Sequence, residues 1–147
     1  PALFDVLLSA MRGLGEPSRD RAVALAYLWA VLDETGHRPE LEQDAATGQP
    51  LAPAPTYVFR SALGGLVRDD PTMPGPAWRV RAETVGLLRQ VAQSGMREFG
   101  RWAGSADPAA VWRGTRLLAM HFREVFGVEP PTVAKLLAEG ESQARSG

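Results

Sequence analysis

The chain has 147 residues, of which 45% are hydrophobic, so it is long enough and apolar enough to fold as one ordinary domain. Its formal net charge is −1, and the absence of cysteine excludes disulfides, thiolate catalysis and zinc–thiolate sites. No apolar run is long enough for a membrane span. The first residues lack the basic start and long apolar middle of a signal peptide. The absence of cysteine predicts a cytoplasmic protein.

Charge is distributed unevenly along the chain. Residues 1–55 carry eight acidic side chains and four arginines, whereas residues 79–123 carry eight arginines and three acidic side chains. A basic segment of this kind attracts phosphate groups. The alternative interpretation is that these arginines form a solvated helix surface that pairs with the acidic first third of the chain.

Apolar residues at spacings of three and four predict a series of helices, which we take in chain order. The first covers residues 2–14, and the second begins at an N-capping Ser18 and ends near Gly36. Residues 36–55 are rich in proline and glycine and predict a long loop with at most one turn of helix. A third main helix is predicted over residues 56–67.

The second half of the chain is also predicted to be helical. A long helix over residues 77–103 is expected to bend at Gly95. The next helix, over residues 107–127, begins with an aspartate N-cap and a proline at its first position and ends at a glycine. A last helix is predicted over residues 130–140.

These elements predict an all-α fold, a compact bundle of five or six main helices that closes with a helix-turn-helix-like pair. Only residues 56–59 favour a strand, and no hairpin turn pairs them. The predicted helical domain spans residues 1–140, with the loop at 36–55, and residues 141–147 are expected to form a frayed tail.

The most informative motif starts at Phe126 and reads Phe-Gly-Val-x-x-x-Thr-Val-x-x-Leu-Leu. Gly127 suits the left-handed turn between two helices, and the flanking apolar residues suit packing of the second helix across the first. Over residues 119–138 the chain resembles bacterial helix-turn-helix regulators. The resemblance implies a regulatory protein that contacts DNA through its last two helices.

Two positions depart from the pattern of those regulators. Arg123 stands where they usually have a small residue, and Glu129 at the start of the second helix would repel phosphates. Thr132 and Lys135 are the exposed residues there with side chains suited to DNA contact. The alternative interpretation of the motif is a plain helical corner within a bundle.

Seven side chains are predicted to contact DNA. The arginines among them lie at near-helical spacings on the two helices before the motif and are expected to hold phosphates. The set comprises Arg89, Arg97, Arg101, Arg116, Arg123, Thr132 and Lys135.

No catalytic motif is present: the chain lacks a glycine-rich phosphate loop, a G-x-S-x-G elbow and an H-E-x-x-H helix. His121 and Glu124 lie on neighbouring helical turns, and Glu34 and His37 share the Glu-x-x-His spacing of metal ligands. A full site of that kind needs further inward carboxylates, which are not evident. We therefore predict no enzymatic activity, no cofactor and no metal.

Two other functions stay open at this stage. One is a non-catalytic module that oligomerises or docks a protein partner through exposed tryptophans such as Trp78, Trp102 and Trp112. The other is a small-ligand-binding or metal-dependent enzyme with a pocket between helices. The leading prediction is a nucleic-acid-associated regulatory protein, with DNA as its partner and no membrane association.

Overall fold

The computed structural model describes residues 17–102 and 105–127, without the side chains of residues 17–20, 96–97 and 99–102. Within these ranges, three helices pack with a three-stranded antiparallel sheet. The elements in chain order are α1 (Pro17–Glu34), β1 (Thr56–Arg60), a 3-10 turn (Ser61–Leu63), β2 (Gly65–Val67), β3 (Trp78–Arg81), α2 (Ala82–Trp102) and α3 (Pro108–Phe126).

The predicted all-α bundle is wrong, because a sheet occupies the middle of the described chain. Residues 56–67, predicted as a helix, form β1, the 3-10 turn and β2. The start of the helix predicted over residues 77–103 is strand β3, and the helix itself begins at Ala82. The predicted first and last helices, over residues 2–14 and 130–140, lie outside the described residues.

Pairing with neighbouring strands explains why these segments are strands. Tyr57, Val58 and Phe59 are aromatic and β-branched types that pack well on a pleated surface. Val58 lies opposite Val67 in β2 and opposite Arg79 in β3. Spacing along the sequence carries no information about these partners, and tertiary pairing overrides a weak helical pattern.

The central strand β1 places an apolar face of the sheet against the helices. The sheet order is β2-β1-β3, and Phe59 lies opposite both Leu66 and Trp78. Directly opposite residues share a face of the sheet. Phe59 and Leu66 are fully buried in a core cluster that also contains residues of α1, α2 and α3. In the described chain, β3 is left at one edge of the sheet.

Helix α1 is buried on most of its surface. Leu25, Leu28 and Leu32 have no exposed area and belong to the same core cluster as Leu118 of α3. The Thr115 hydroxyl of α3 donates a hydrogen bond of 3.2 Å to the carbonyl of Arg21 in α1. The broad apolar surface of this helix, visible in the sequence, is covered mainly by α3 and in part by α2.

Helix boundaries with local signals agree with prediction. The Asp107 side chain accepts a hydrogen bond of 3.1 Å from the Ala109 N–H and caps α3. Gly127 ends α3 with a left-handed φ of 77°, a conformation that a Cβ would strain. A kink at Gly95 interrupts α2, as expected.

The loop over residues 36–55 covers the other edge of the sheet. The Glu40 N–H donates to the Gly64 carbonyl, and the Leu66 N–H donates to the Glu40 carbonyl, each at 2.9 Å. This pairing forms a parallel bridge beside β2. Gly65 permits it, because a Cβ at that position would overlap the Glu40 backbone. The edge of β2 is therefore satisfied by the chain itself.

Two arginines tie loops to the fold through backbone carbonyls. Buried Arg60 donates from its guanidinium to the carbonyls of residues 73–75 at 2.9–3.2 Å. Arg89 donates from Nε to the Leu41 carbonyl at 2.9 Å, and its guanidinium lies 5.5 Å from the centre of the Tyr57 ring. Both side chains have fixed partners that hold a loop in place.

The carboxylate of Asp44 also holds a loop in place, by accepting hydrogen bonds from backbone N–H groups. Its Oδ1 accepts hydrogen bonds from the backbone N–H groups of Ala46 and Thr47, and its Oδ2 accepts one from the Arg68 N–H at 3.0 Å. Burial alone would raise the pKa of Asp44, but these hydrogen bonds outweigh burial and lower the pKa below its ordinary value. We call Arg60, Arg89 and Asp44 the clamp residues.

None of the helices within the described ranges is long and apolar enough to cross a membrane.

Candidate nucleic-acid interface

A groove of about 320 Å³ lies between the edge strand β3 and helix α3. Five of its lining side chains are arginines, and among the described residues that line it none is acidic. We call it the arginine groove. Its lining comprises Trp78, Arg79, Val80, Arg81, Thr84, Arg113, Arg116, Leu117, Ala119, Met120 and Arg123.

The helical wall of the groove follows from residue spacing on α3. Arg113, Arg116, Met120 and Arg123 succeed one another at intervals of three and four residues. Such intervals place side chains along one face of a helix. Arg116 and Arg123 are exposed on this face and Arg113 is half-buried, whereas Met120 between them is buried, so the face presents arginines around an apolar residue.

The strand wall follows from the position of β3 at the sheet edge. Side chains of a strand alternate between the two faces of a sheet, and Arg79 and Arg81 share one face while Trp78 and Val80 share the other. Because the edge of β3 borders the groove, residues of both faces contribute to its lining.

The groove combines an apolar floor with a charged rim. Val80, Leu117 and Met120 are only 5–6% exposed and form part of the floor. At the rim, the Arg79 side chain is 69% exposed and Trp78 is 44% exposed. A ligand in the groove therefore meets guanidinium groups at the edge and hydrocarbon underneath.

Two polar contacts orient arginines around the groove. Arg113 donates from Nε to the hydroxyl of buried Thr84 at 3.3 Å. Arg79 forms an ion pair of 3.3 Å with Asp69, whose side chain is 58% exposed. The ion pair lies in solvent, where such contacts are weak. The groove keeps a strong positive charge despite this acidic neighbour.

Of the seven residues predicted to contact DNA, two line the arginine groove and the others do not appear in its described lining. Arg116 and Arg123 line the arginine groove. Arg89 lies elsewhere, against Leu41 and Tyr57. The side chains of Arg97 and Arg101 are not described, and Thr132 and Lys135 lie outside the described residues.

Sequence reasoning assigned Arg79, Arg81 and Arg113 to no site, and it named Trp78 only as a docking residue for a protein partner. The signal for Arg113 was present, because it continues the helical spacing of Arg116 and Arg123. The alternation of Trp78 to Arg81 is typical of a strand, but a helix was assigned there. Only the tertiary fold brings this strand beside α3.

His121 is buried and serves the fold. Its Nδ1 accepts a hydrogen bond of 2.6 Å from the Ser61 hydroxyl, and its Nε2 donates to the His37 carbonyl at 3.3 Å. The Phe59 ring packs edge-on against it, with ring centres 5.3 Å apart. Burial lowers the pKa of His121 and outweighs the hydrogen bond to His37, so the neutral ring is favoured.

Within residues 17–102 and 105–127, no three histidine, cysteine, aspartate or glutamate side chains come together as metal ligands would.

An arginine-lined groove on a mixed helix-and-sheet domain is a surface suited to a polyanion. Residues 1–130 match the family model described as recombination protein O C terminal. Because this match covers most of the chain, the protein belongs to that family, which is one of DNA recombination and repair. No curated protein and no solved structure matches the chain.

The family membership overturns the resemblance to helix-turn-helix regulators. The match to the recombination family includes residues 119–130, the first half of the supposed motif. The pattern around Gly127 is explained by α3 ending in a left-handed glycine, a common way for any helix to stop. A helix end of this kind does not distinguish a DNA reader from other folds.

Proposed function

We propose that this chain is a non-catalytic DNA-binding domain, and that the arginine groove holds the sugar–phosphate backbone. The observation that carries the proposal is the convergence of five arginines from β3 and α3 on one concavity without an acidic lining side chain among the described residues. Membership of a recombination and repair family supports DNA as the polyanion.

Guanidinium chemistry fits this role. An arginine presents a planar fork of N–H donors that can bind two phosphate oxygens at once. Arg116 and Arg123 lie on one face of a rigid helix, and Arg79 and Arg81 lie on a strand, so little ordering of the backbone is needed on binding. Phosphate contacts of this type give affinity without base sequence preference.

The lining also supports a binding role over a catalytic one. Besides its arginines, Thr84 and Trp78, the described lining is apolar, and it includes no carboxylate or histidine that could act as a general base. A DNA partner agrees with the cytoplasmic location that the cysteine-free sequence predicts.

Fluorescence anisotropy with labelled DNA over a salt series tests the proposal. Affinity should fall steeply with salt, and Arg116→Gln should reduce the slope of log K against log salt by about 0.7 to 0.9. Arg38→Gln removes the same charge from an exposed position beside Trp29, outside the groove, and is the matched control. It should leave the slope unchanged.

Equal slopes for the two variants would show that binding does not use the groove. Absence of any DNA binding at low salt would overturn the proposal altogether. Far-ultraviolet circular dichroism of each variant establishes that the fold is intact before the slopes are compared.

A further inference from the structure

The floor of the arginine groove has no use in binding phosphate alone. Val80, Leu117 and Met120 present hydrocarbon to the groove, whereas phosphates are satisfied at the arginine rim. A regular duplex exposes phosphates and sugars and keeps the faces of its bases stacked inside. An unpaired base has free planar faces that can cover an apolar surface.

Trp78 supplies a stacking partner at the mouth of the same groove. It is one of the large hydrophobic side chains that remain exposed, at 44%, and it lines the groove next to the arginine rim. Stacking between a base and an aromatic side chain is sequence-tolerant, because every base has a π face. The indole therefore complements the floor, while the arginines complement the backbone of the same strand.

The fold holds Trp78 in position before any ligand arrives. Its strand pairs with β1 at Phe59, a fully buried residue. The turn just before it is tied down by Arg60, which donates to the carbonyls of residues 73–75. A residue whose backbone is already fixed loses less entropy when its side chain stacks on a ligand.

The size of the groove limits what it can hold. At about 320 Å³ it stands at the small end of ligand pockets. This space suits a single base with its sugar and excludes a stacked run of bases. The rest of a bound strand must follow the arginine rim outside the groove.

We propose that the arginine groove takes one unpaired base of a nucleic-acid strand, stacked on Trp78 over the apolar floor. This inference rests on the proposed DNA-binding function and adds the position at which the groove holds one base of the strand. It makes Trp78 the residue that separates such strands from polyanions that offer phosphates only.

Removal of bases without removal of phosphates is the direct test. Two single-stranded oligonucleotides of about 12 nucleotides are compared by anisotropy, one with normal bases and one with abasic residues throughout. The wild type should bind the base-bearing strand at least about fivefold more tightly. In Trp78→Ala this difference should disappear, whereas Trp78→Phe should retain most of it. Leu63→Ala, which shortens another exposed apolar side chain at 42%, should leave it unchanged.

The outcomes separate this inference from the proposed function. If the wild type binds both strands equally while Arg113→Gln/Arg116→Gln weakens both, the groove binds phosphate and the inference is wrong. If Trp78→Ala keeps the full preference for bases, the inference is also wrong. If neither strand binds at low salt, the proposed function fails, and the inference falls with it.

Discussion

The clamp residues and the arginine groove use charged side chains in opposite ways. Arg60 is 8% exposed and donates to three backbone carbonyls of its own chain. Arg79 is 69% exposed in its side chain and lines an open groove, with Asp69 as its ion-pair partner. A guanidinium with internal carbonyl partners stabilises a loop, whereas one at a concave surface can exchange partners with a ligand.

The contrast between Arg89 and Arg116 shows that the basic segment over residues 79–123 is not a single interface. The sequence placed Arg89 and Arg116 in one predicted interface because both lie in the arginine-rich stretch. In the structure Arg89 bonds to the Leu41 carbonyl and Arg116 lines the groove. Charge density along a sequence identifies a basic region, but partners decide which arginines can serve a ligand.

The largest expected effect is on a clamp arginine. Arg60→Met should lower the free energy of unfolding by about 3 kcal/mol, because three carbonyls lose a charged donor in a buried setting. Arg79→Met should cost less than about 0.5 kcal/mol, because its ion pair is exposed. Urea titrations monitored by tryptophan fluorescence measure both. Similar losses in the two variants would contradict the distinction between clamp and groove.

A second test uses the acidic clamp residue. At neutral pH, Asp44→Asn should cost about 2 kcal/mol of unfolding free energy, since the charged acceptor of three backbone N–H groups is lost. The folded pKa of Asp44 is depressed, so its stabilisation is full above the ordinary aspartate value of about 3.9 and is lost as pH falls through the folded pKa. The gap between wild type and variant should therefore close below about pH 3.9.

Urea titrations of both proteins between neutral and acidic pH provide the measurement. Asp70, whose pKa is lowered by hydrogen bonds from Thr72, is present in both proteins and contributes equally to them. A gap that stays constant with pH would show that the Asp44 charge is not what holds the loop.

The smallest expected effect sharpens the groove side of the comparison. Asp69→Asn removes the carboxylate that lies 3.3 Å from Arg79. In the variant, Arg79 can bind a DNA phosphate without first giving up its ion pair with Asp69. DNA affinity at low salt should rise by up to about fivefold, as expected for an exposed ion pair. Anisotropy at two salt concentrations checks this, since the gain should shrink at high salt. A loss of affinity would show that Asp69 supports the groove.

Local signals made part of this fold predictable. The Asp107 cap, the break at Gly95 and the stop at Gly127 each depend on a few neighbouring residues, and each was predicted correctly. The pairing of β1 with β3 was missed because it joins residues far apart, such as Phe59 with Trp78. The pairing of β1 with β2 joins residues that are close in sequence, such as Val58 with Val67, and was missed because no hairpin turn was recognised between them. Nothing in either segment alone specifies its partner.

The arginine groove likewise has one wall that the sequence could predict and one that it could not. The helical wall was within reach of the sequence, because Arg113, Arg116 and Arg123 repeat at helical intervals. The strand wall was not, because it required both the assignment of β3 and its placement beside α3. Arg116 and Arg123 were therefore proposed as DNA contacts from sequence, whereas Trp78 was proposed only as a docking residue and joined these arginines once the fold was known.

The edges of the sheet have a consequence for solubility. Exposed strand edges invite pairing with other chains, and proteins protect them by covering them or by placing charges there. The β2 edge is covered by Glu40 of the same chain, while the β3 edge carries Arg79 and Arg81. Two copies that met along β3 would bring like charges together. Within the described residues β3 is an edge of the sheet, so we expect Arg79 and Arg81 to disfavour such pairing and a variant that neutralises both to aggregate more readily.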